Sequence, residues 1–221
     1  MQITIITLFP EVFDPILNSS ILKRAQIKGK VTFKFVNLRD FGQGHHKVVD
    51  GRPYGGGAGM VLRADILAKA LESVPDKPHV ILTSASGKPY KQTDARRLSK
   101  INYLVIVCGH YEGIDQRFID KYVTEEISIG DFILTGGEIS AMVIADSIVR
   151  LLPGVLKKEE ATINESFTEN LLEGPQYTRP GEFDGAKVPE VLLSGHHKKV
   201  SDWRRQKSLE RTRQVRPDLL K

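Results

Sequence analysis

Short runs of β-branched and apolar residues recur along most of the chain, and stretches with helical spacing separate them. The strand-like runs are residues 3–8, 31–36, 80–82, 103–107 and 122–124. Between them, residues 64–74 place apolar side chains three and four positions apart, which is typical of a helix, and residues 93–99 are predicted to be helical as well. Strands that alternate with helices predict an α/β fold with a mostly parallel sheet.

The later part of the chain has a different character. Residues 139–152 are apolar on nearly all sides, which predicts a buried helix. Residues 156–186 are polar and rich in turn-forming residues, and residues 197–213 have a helical pattern. The predicted organisation is an α/β domain over residues 1–155, an interdomain linker over 156–186 and a small, basic helical domain over 187–221.

The charge is distributed unevenly. The formal net charge is +5, from 32 Lys and Arg against 27 Asp and Glu. Residues 187–221 carry ten Lys and Arg and four Asp and Glu, a local charge of +6, so residues 1–186 carry about −1. This asymmetry favours a nucleic-acid partner for the C-terminal segment, with a solvated basic helix as the alternative.

Cysteine content and hydropathy limit the class of protein. The single cysteine, Cys108, lies at the end of an apolar run, which indicates a buried strand thiol and excludes an internal disulfide framework or a thiolate zinc cluster. No window is long and uncharged enough for a transmembrane helix, and the first residues form a predicted strand without the features of a signal peptide. We therefore expect a cytoplasmic protein.

Four glycine clusters stand out, at residues 54–59, 108–113, 128–131 and 134–138. In open α/β sheets, the loops beyond the carboxyl ends of the strands form the ligand crevice, and glycine lets the backbone approach a ligand closely. Glycine also serves simple tight turns, but three such loops in one short stretch favour a ligand cleft. Neither a complete G-x-G-x-x-G pattern nor a P-loop is present, so the usual dinucleotide and nucleoside-triphosphate sites are disfavoured.

Five segments carry a resemblance to a known family. They are RPYGGGAGM at 52–60, CGHYEGID at 108–115, SIGDF at 128–132, GGE at 136–138 and QYTRP at 176–180. Together and in this order they resemble the bacterial tRNA (guanine-N1)-methyltransferases, which belong to the SPOUT methyltransferases. The resemblance runs from Met1 to the C-terminal helix. It implies a deep trefoil knot in the α/β domain, an exception to the rule against threaded connections.

The resemblance also implies a cofactor, S-adenosyl-L-methionine, bound in the knot. Its predicted contacts are Leu82, Thr83, Ser84, Gly109, His110, Tyr111, Glu112, Ser128, Ile129, Gly130, Phe132, Leu134, Gly136 and Gly137. The adenine would be read by backbone groups in the loop from residue 129 to 134, and Glu112 would lie near the methionine amine. No protein-bound metal site is predicted, although Mg²⁺ dependence is a trait of the family.

The implied substrate is guanosine at tRNA position 37, just 3′ of the anticodon, when the preceding base is also guanosine. The resemblance implies an obligate homodimer whose active site is built from both chains. The residues predicted to contact tRNA are His46, Asp50, Tyr54, Gly55, Gly56, Ser166, Arg204 and Arg205. Among these, Tyr54 suits stacking on a base, with a place in the core as the equal alternative, and the two arginines belong to the basic C-terminal segment.

Methyl transfer to guanine N1 requires a base that removes the N1 proton and a positive group near O6. The resemblance assigns these roles to Glu165 and Arg150. In the family the residue before Ser-Phe is usually aspartate, whereas this chain has Glu165 before Ser166, so the carboxylate is kept on a longer stem. Without the resemblance, Glu165 would be an ordinary linker carboxylate, and Arg150 a helical partner of Asp146.

Two other functions are compatible with parts of the sequence. A non-catalytic RNA-binding module of the same fold would keep the basic segment without needing Glu165 or Arg150. A metal-dependent hydrolase could use His45, His46 and Asp50, although adjacent histidines seldom chelate one ion.

Overall fold

The computed structural model describes residues 1–74, 77–157, 162 and 165–221. The chain forms two compact units, Met1–Lys157 and Lys158–Lys221. Part of the predicted linker, residues 158–161 and 163–164, lies outside the described residues. None of the helices within the described ranges is both long enough and apolar enough to span a membrane.

The first unit is an α/β fold built around a parallel sheet. Its strands are β1 (Gln2–Thr7), β2 (Thr32–Asn37), β3 (Asp50–Gly51), β4 (Val61–Leu62), β5 (His79–Pro89), β6 (Tyr103–Cys108) and β7 (Glu125–Ser128). Its helices are α1 (Asp14–Leu17), α2 (Ser20–Ile27), α3 (Ala64–Glu72), α4 (Gln92–Leu98), α5 (Gln116–Tyr122) and α6 (Glu138–Val149). Short 3₁₀ turns occupy Pro10–Phe13 and Leu38–Phe41.

Five strands form the main sheet in the order β2-β1-β6-β5-β7, with every neighbouring pair parallel, which confirms the predicted sheet. Because side chains alternate across a strand, each central strand contributes to two cores. Ile3 and Ile5 pack on the face covered by α2 and α6, whereas Ile6 packs on the face covered by α3 and α5. Burial on both faces explains why β1 and β6 are apolar along nearly their whole length.

The structure corrects the predicted strand at residues 122–124. Tyr122 ends α5, and the strand begins only at Glu125. The rings of Phe118 and Tyr122 lie 5.3 Å apart, one helical turn from each other, in the core on the α3 side of the sheet. The β-branched residues after Tyr122 belong to the connection between helix and strand, so local propensity was outweighed by the packing of the helix.

The prediction that the helix at 139–152 is buried on nearly all sides is also wrong for the single chain. The sheet-facing side of α6 is buried, including Ile144 and Ile148, but Ile139 and Val143 remain 54% and 43% exposed. The 3₁₀ turn at 10–13 packs beside α6 and exposes Val12. An apolar surface thus remains uncovered on this side of the first unit.

The second unit is small and mainly helical. It contains the 3₁₀ turns Thr168–Asn170 and Pro217–Leu220, a hairpin of β8 (Glu182–Phe183) and β9 (Ala186–Lys187), and the helices α7 (Glu190–Leu193) and α8 (His197–Val215). Thr212 on α8 is fully buried, and its hydroxyl accepts a hydrogen bond from the Leu172 amide at 2.9 Å. The Ser208 hydroxyl donates to the Leu172 carbonyl. These bonds hold the segment around residue 172 against the long helix.

Candidate functional site

A cavity of about 550 Å³ opens at the carboxyl ends of β5, β6 and β7 in the first unit. This is the edge at which open α/β sheets bind ligands, and the volume lies within the range of small-molecule sites, roughly 300–1,000 Å³. Three segments surround it, namely residues 82–86, 109–114 and 128–137. The first segment lies within β5 and the other two follow β6 and β7, so the sheet itself brings the three segments together.

The three loops are tied to one another at Gly137. Its amide donates a 2.7 Å hydrogen bond to the Gly109 carbonyl. A Cβ at this position would overlap the Thr83 hydroxyl and lie 2.7 Å from the Gly109 nitrogen. The φ of Gly137 is −82°, which any residue can adopt, so glycine is required here by close packing and not by backbone conformation.

The loop after β7 turns sharply at Gly130. The Ser128 hydroxyl donates to the Gly130 carbonyl at 3.0 Å and accepts from its amide at 3.3 Å. Gly130 has a φ of +155°, and a side chain there would collide with the ring of Phe132. Glycine is therefore required at position 130 both by the backbone φ and by the space that the Phe132 ring occupies. The Phe132 ring itself is half exposed and lines the cavity.

The loop after β6 connects the cavity to the glycine-rich loop before β4. The Glu112 amide donates to the Met60 carbonyl at 3.0 Å, and the Glu112 side chain fills the space beside Gly59 that a Cβ would need. Tyr111 adopts a left-handed φ of +58° and is 44% exposed. Glu112 is thus placed where the cavity meets the loop that was predicted to contact RNA.

A buried carboxylate lies beneath these loops. Glu138 begins α6 and is 8% exposed, and the Thr7 hydroxyl donates to its Oε1 at 2.8 Å. Its position in the first helical turn suits a negative charge. Burial raises the pKa of the Cys108 thiol well above its ordinary value, and the charge of Glu138 adds to this effect. Cys108 is therefore a structural thiol and not a nucleophile.

Every residue predicted to contact the cofactor lines this cavity. Their roles as ligands stay predictions. The cavity also has polar lining residues that were not predicted, namely Ser86, Gln116, Glu126 and Ser140. Ser86 could not be found from the strand pattern, because β5 pairs with Ile127 first at Thr83 and again at Lys88, so residues 84–87 bulge out between the two pairings.

The predicted RNA-contacting residues of the first unit lie on and around the hairpin of β3 and β4. Asp50 begins β3 opposite Leu62, and the loop between the strands carries Tyr54, which is 98% exposed. Gly55 and Gly56 have φ values of +83° and +80°, with open space around their Cα atoms. His46 lies on an exposed turn before the hairpin. The hairpin presents an uncovered ring on a glycine-rich loop.

The structure does not bring Arg150 to the cavity of its own chain. Arg150 caps the C-terminal end of α6, whereas Gly137 precedes the N-terminal end. At a rise of 1.5 Å per residue, the 13 residue steps from Gly137 to Arg150 separate these positions by about 20 Å. Arg150 is partly buried and interacts with neighbouring groups.

Glu165 belongs to the second unit, where it begins a tightly turned segment. Its carbonyl accepts from the Thr168 amide at 3.1 Å, and the Ser166 hydroxyl accepts from the Glu173 amide at 3.0 Å. Phe167 and Asn170 adopt left-handed φ values of +69° and +57°. Strained backbone of this kind persists where the surroundings impose it and often occurs at functional sites.

Arg204 and Arg205 lie on the exposed surface of α8. Arg204 contributes to a second cavity within the Lys158–Lys221 unit, whereas Arg205 does not. As for metal ions, the ranges that the structure describes contain no group of three or more His, Cys, Asp or Glu that could hold one. The hydrolase alternative based on His45 and His46 therefore gains no support from these residues.

The first cavity has the features that a cationic cofactor with an apolar ring system would need. Apolar side chains such as Leu82 and Leu134 form part of its lining, and the glycine-rich turns expose backbone groups. Glu112 and Glu126 are also among its lining residues, and opposite charge stabilises a cation in a partly desolvated site. These properties fit S-adenosyl-L-methionine, which carries an adenine ring and a positively charged sulfur.

Comparison with known proteins agrees with this chemistry. The family model described as tRNA (guanine-1)-methyltransferase TrmD matches residues 1–221. The chain is 54% identical over 224 residues to the tRNA (guanine-N(1)-)-methyltransferase of Bacillus pumilus (strain SAFR-032), with 100% of this chain and 92% of the relative covered. It is 52% identical over 225 residues to the enzyme of that name from Bacillus subtilis (strain 168), with 100% and 93% covered. The corresponding relative from Carboxydothermus hydrogenoformans is 54% identical over 222 residues, with 100% and 88% covered.

Proposed function

This chain belongs to the tRNA (guanine-N1)-methyltransferase family, as its five motifs predicted, and from this premise we propose that it transfers the methyl group of S-adenosyl-L-methionine to N1 of guanosine 37 in tRNA. The membership makes the chain a transferase. The alternative of a non-catalytic RNA-binding module loses its support. The assembly of all the predicted cofactor residues around one cavity carries the proposal.

The cavity at the ends of β5, β6 and β7 would hold the cofactor, which supplies an electrophilic methyl group. The backbone groups of the Gly130 turn and the loop that follows would bind its adenine, and Glu112 would bind near its amine. The chain between these loops is the region in which we propose the trefoil knot. The knot would keep the three loops at fixed spacing, so that reacting groups are aligned before the reaction begins.

We assign the removal of the guanine N1 proton to Glu165. N1 is a poor nucleophile while it carries a proton, and a carboxylate within hydrogen-bond reach can accept that proton as the new N–C bond forms. The left-handed residues that follow Glu165 hold this segment in a defined turn. Arg150 would donate hydrogen bonds to guanine O6, where negative charge accumulates as the proton leaves.

The position of Arg150 supports an active site shared by two copies of the chain. Arg150 lies about 15 Å along α6 from Ser140, the lining residue of its own cavity that is furthest along this helix. The exposed apolar residues Val12, Ile16, Ile139 and Val143 occupy neighbouring elements near α6. Association of two copies through this surface would bury it, and would allow one copy to supply residues to the cavity of the other.

The substrate proposal combines the exposed hairpin of the first unit with the basic second unit. Tyr54 could stack on an unpaired base of the anticodon loop, with His46 and Asp50 hydrogen-bonding to base edges. Arg204 and Arg205 would contact phosphates. The proposed compartment is the cytoplasm, where tRNA is modified. No step is assigned to Mg²⁺.

The base assignment is tested by replacing Glu165 with glutamine. E165Q removes the proton acceptor and keeps the shape, so single-turnover methylation of tRNA should fall roughly 10²–10⁴-fold while the Kd for S-adenosyl-L-methionine stays within about twofold. E169Q, which changes another carboxylate of the same segment, is the matched control. Turnover of E165Q equal to that of E169Q would show that Glu165 is not the base.

The shared active site is tested by mixing two inactive variants. G137V should disable the cavity, and E165Q should disable the base, so either homodimer alone should be inactive. If Glu165 acts in the cavity of the partner, mixed dimers regain one working site and activity returns on mixing. If it acts within its own chain, every mixture remains inactive although both variants fold and form dimers.

A further inference from the structure

A second cavity, of about 290 Å³, lies wholly within the Lys158–Lys221 unit. The segment 175–181, the short helix α7 and the first half of α8 surround it. Its volume is near the lower end of small-ligand sites, roughly 300–1,000 Å³, which suits one nucleotide and not a duplex. The proposed methyl-transfer chemistry makes no use of this cavity.

The lining combines an aromatic ring, cations and apolar side chains. Tyr177 is 48% exposed, and its ring contacts that of Trp203 at a centroid distance of 6.2 Å. Arg179 and Arg204 bring two guanidinium groups, while Leu192 is among the apolar lining residues. An exposed ring beside guanidinium groups is the combination that binds single-stranded nucleic acid, because the ring stacks on a base and the cations bind phosphate.

The surroundings favour RNA over other anionic ligands. The residues from 187 onward carry a net charge of +6, against +5 for the chain as a whole, so the basic excess is concentrated here. A-form duplex RNA hides the faces of its bases, so an exposed ring can stack only on an unpaired nucleotide. Gln176 and Thr178 are also among the lining residues, and amide and hydroxyl groups can bond to base edges or ribose.

We propose that this cavity binds one unpaired nucleotide of the RNA substrate, with its base stacked on Tyr177 and its phosphate paired with Arg179 and Arg204. The proposal rests on the proposed tRNA substrate and adds a defined contact site to it. Tyr177 and Arg204 would increase the affinity for RNA without taking part in the reaction. Their loss should therefore raise KM for tRNA and leave kcat and the Kd for S-adenosyl-L-methionine unchanged.

Trp203 offers a direct signal, because it is the only tryptophan in the chain and it contacts Tyr177. The full chain is titrated with an anticodon stem-loop RNA, and separately with a six-nucleotide single-stranded RNA, while Trp203 fluorescence is recorded. Binding should change the fluorescence in the wild type. Y177L should lower the affinity for both RNAs roughly tenfold, and Y177F should restore it, since stacking on one aromatic ring contributes about 1–3 kcal/mol.

The salt dependence of RNA binding distinguishes the contribution of base stacking from the contribution of phosphate contacts. R204Q should reduce the slope of log K against log salt by about one, whereas Y177L should lower K at every salt concentration without changing the slope. The matched controls are F183L, an exposed ring outside the cavity, and R213Q, an exposed arginine of α8 that does not line it. Circular dichroism melting checks that each variant folds.

Wild-type affinity and an unchanged fluorescence response in both Y177L and R204Q would overturn the proposal. An affinity loss in F183L and R213Q equal to that in the cavity variants would also overturn it, because the effect would then be general. If Y177L fails to fold, R204Q and Y177F decide the outcome alone. Methylation of bulk tRNA by the wild type tests the proposed function separately, and the six-nucleotide RNA tests the cavity even if no methylation occurs.

Discussion

Gly137 gives the most direct test of how the cofactor loops are held together. In G137A the new methyl group would overlap the Thr83 hydroxyl and lie 2.7 Å from the Gly109 nitrogen and 2.8 Å from the Cys108 Cα. The last two are backbone atoms at the end of a central strand, so they cannot rotate away. Because the φ of Gly137 is −82°, the substitution adds no backbone strain, and its whole effect comes from packing.

The cost can be worked from these contacts. Overpacking a tight site costs about 1–3 kcal/mol, and weakening the hydrogen bond from Gly137 to the Gly109 carbonyl adds about 1 kcal/mol. For a chain of this size the melting temperature should fall by roughly 5–15 °C. The displaced loops should also weaken binding of S-adenosyl-L-methionine at least tenfold, because the Gly109 and Gly136 segments line the cavity.

Scanning calorimetry and isothermal titration calorimetry measure the two effects. G51A is the control, since Gly51 lies in the same unit and a methyl group added there would have nothing within 4 Å, so this variant should be close to neutral. A wild-type melting temperature and wild-type cofactor affinity in G137A would refute the argument that close contact at this glycine sets the spacing of the loops.

Three further outcomes follow from the contacts of single side chains. Burial raises the pKa of the Glu125 carboxyl, but hydrogen bonds from Arg97 and His79 outweigh this effect and lower that pKa below its ordinary 4.5. The interaction of Glu125 with Arg97 therefore stabilises the fold above pH 4.5, and this contribution disappears as the pH falls through the lowered pKa. In urea unfolding, R97Q should reduce the free energy of unfolding by about 1 kcal/mol at pH 7 and should not change it near pH 2. T212V removes the hydroxyl that accepts the hydrogen bond of the Leu172 amide, so hydrogen exchange at that amide should accelerate. Methylation should also slow, with unchanged cofactor affinity. Equal exchange rates in T212V and the wild type would contradict this prediction. Cys108 should react with a disulfide reagent only at the rate of unfolding, and rapid labelling of the folded chain would show that it is accessible.

Much of the first unit was predictable because its signals are local. The β-branched run of β1 and the continuous apolar run of β6 reflect burial on both faces of a parallel sheet, and the structure confirms both strands. Three of the four glycine clusters could be placed at one edge because they follow predicted strands. The tight contacts at Gly137 were not predictable, since they join three loops that are distant in the chain.

The remaining features depend on contacts that sequence patterns do not encode. Residues 122–124 have strand propensity, but Tyr122 is held in α5 by its packing on Phe118. The segment after Glu165 has the composition of a free linker, yet Thr212 and Ser208 on α8 bind it at Leu172. Both cases are tertiary contacts, made by residues that look ordinary in the sequence.

We propose above all that this cavity delivers a methyl group to N1 of one guanosine. The most direct measurement uses S-adenosyl-L-methionine with a trideuterated methyl group and tRNA transcripts that carry guanosine or adenosine at position 37. Nucleoside mass spectrometry after digestion should find deuterated N1-methylguanosine only with guanosine at position 37. Label in another nucleoside, equal label in the adenosine transcript, or no label from protein that binds the cofactor would contradict the claim.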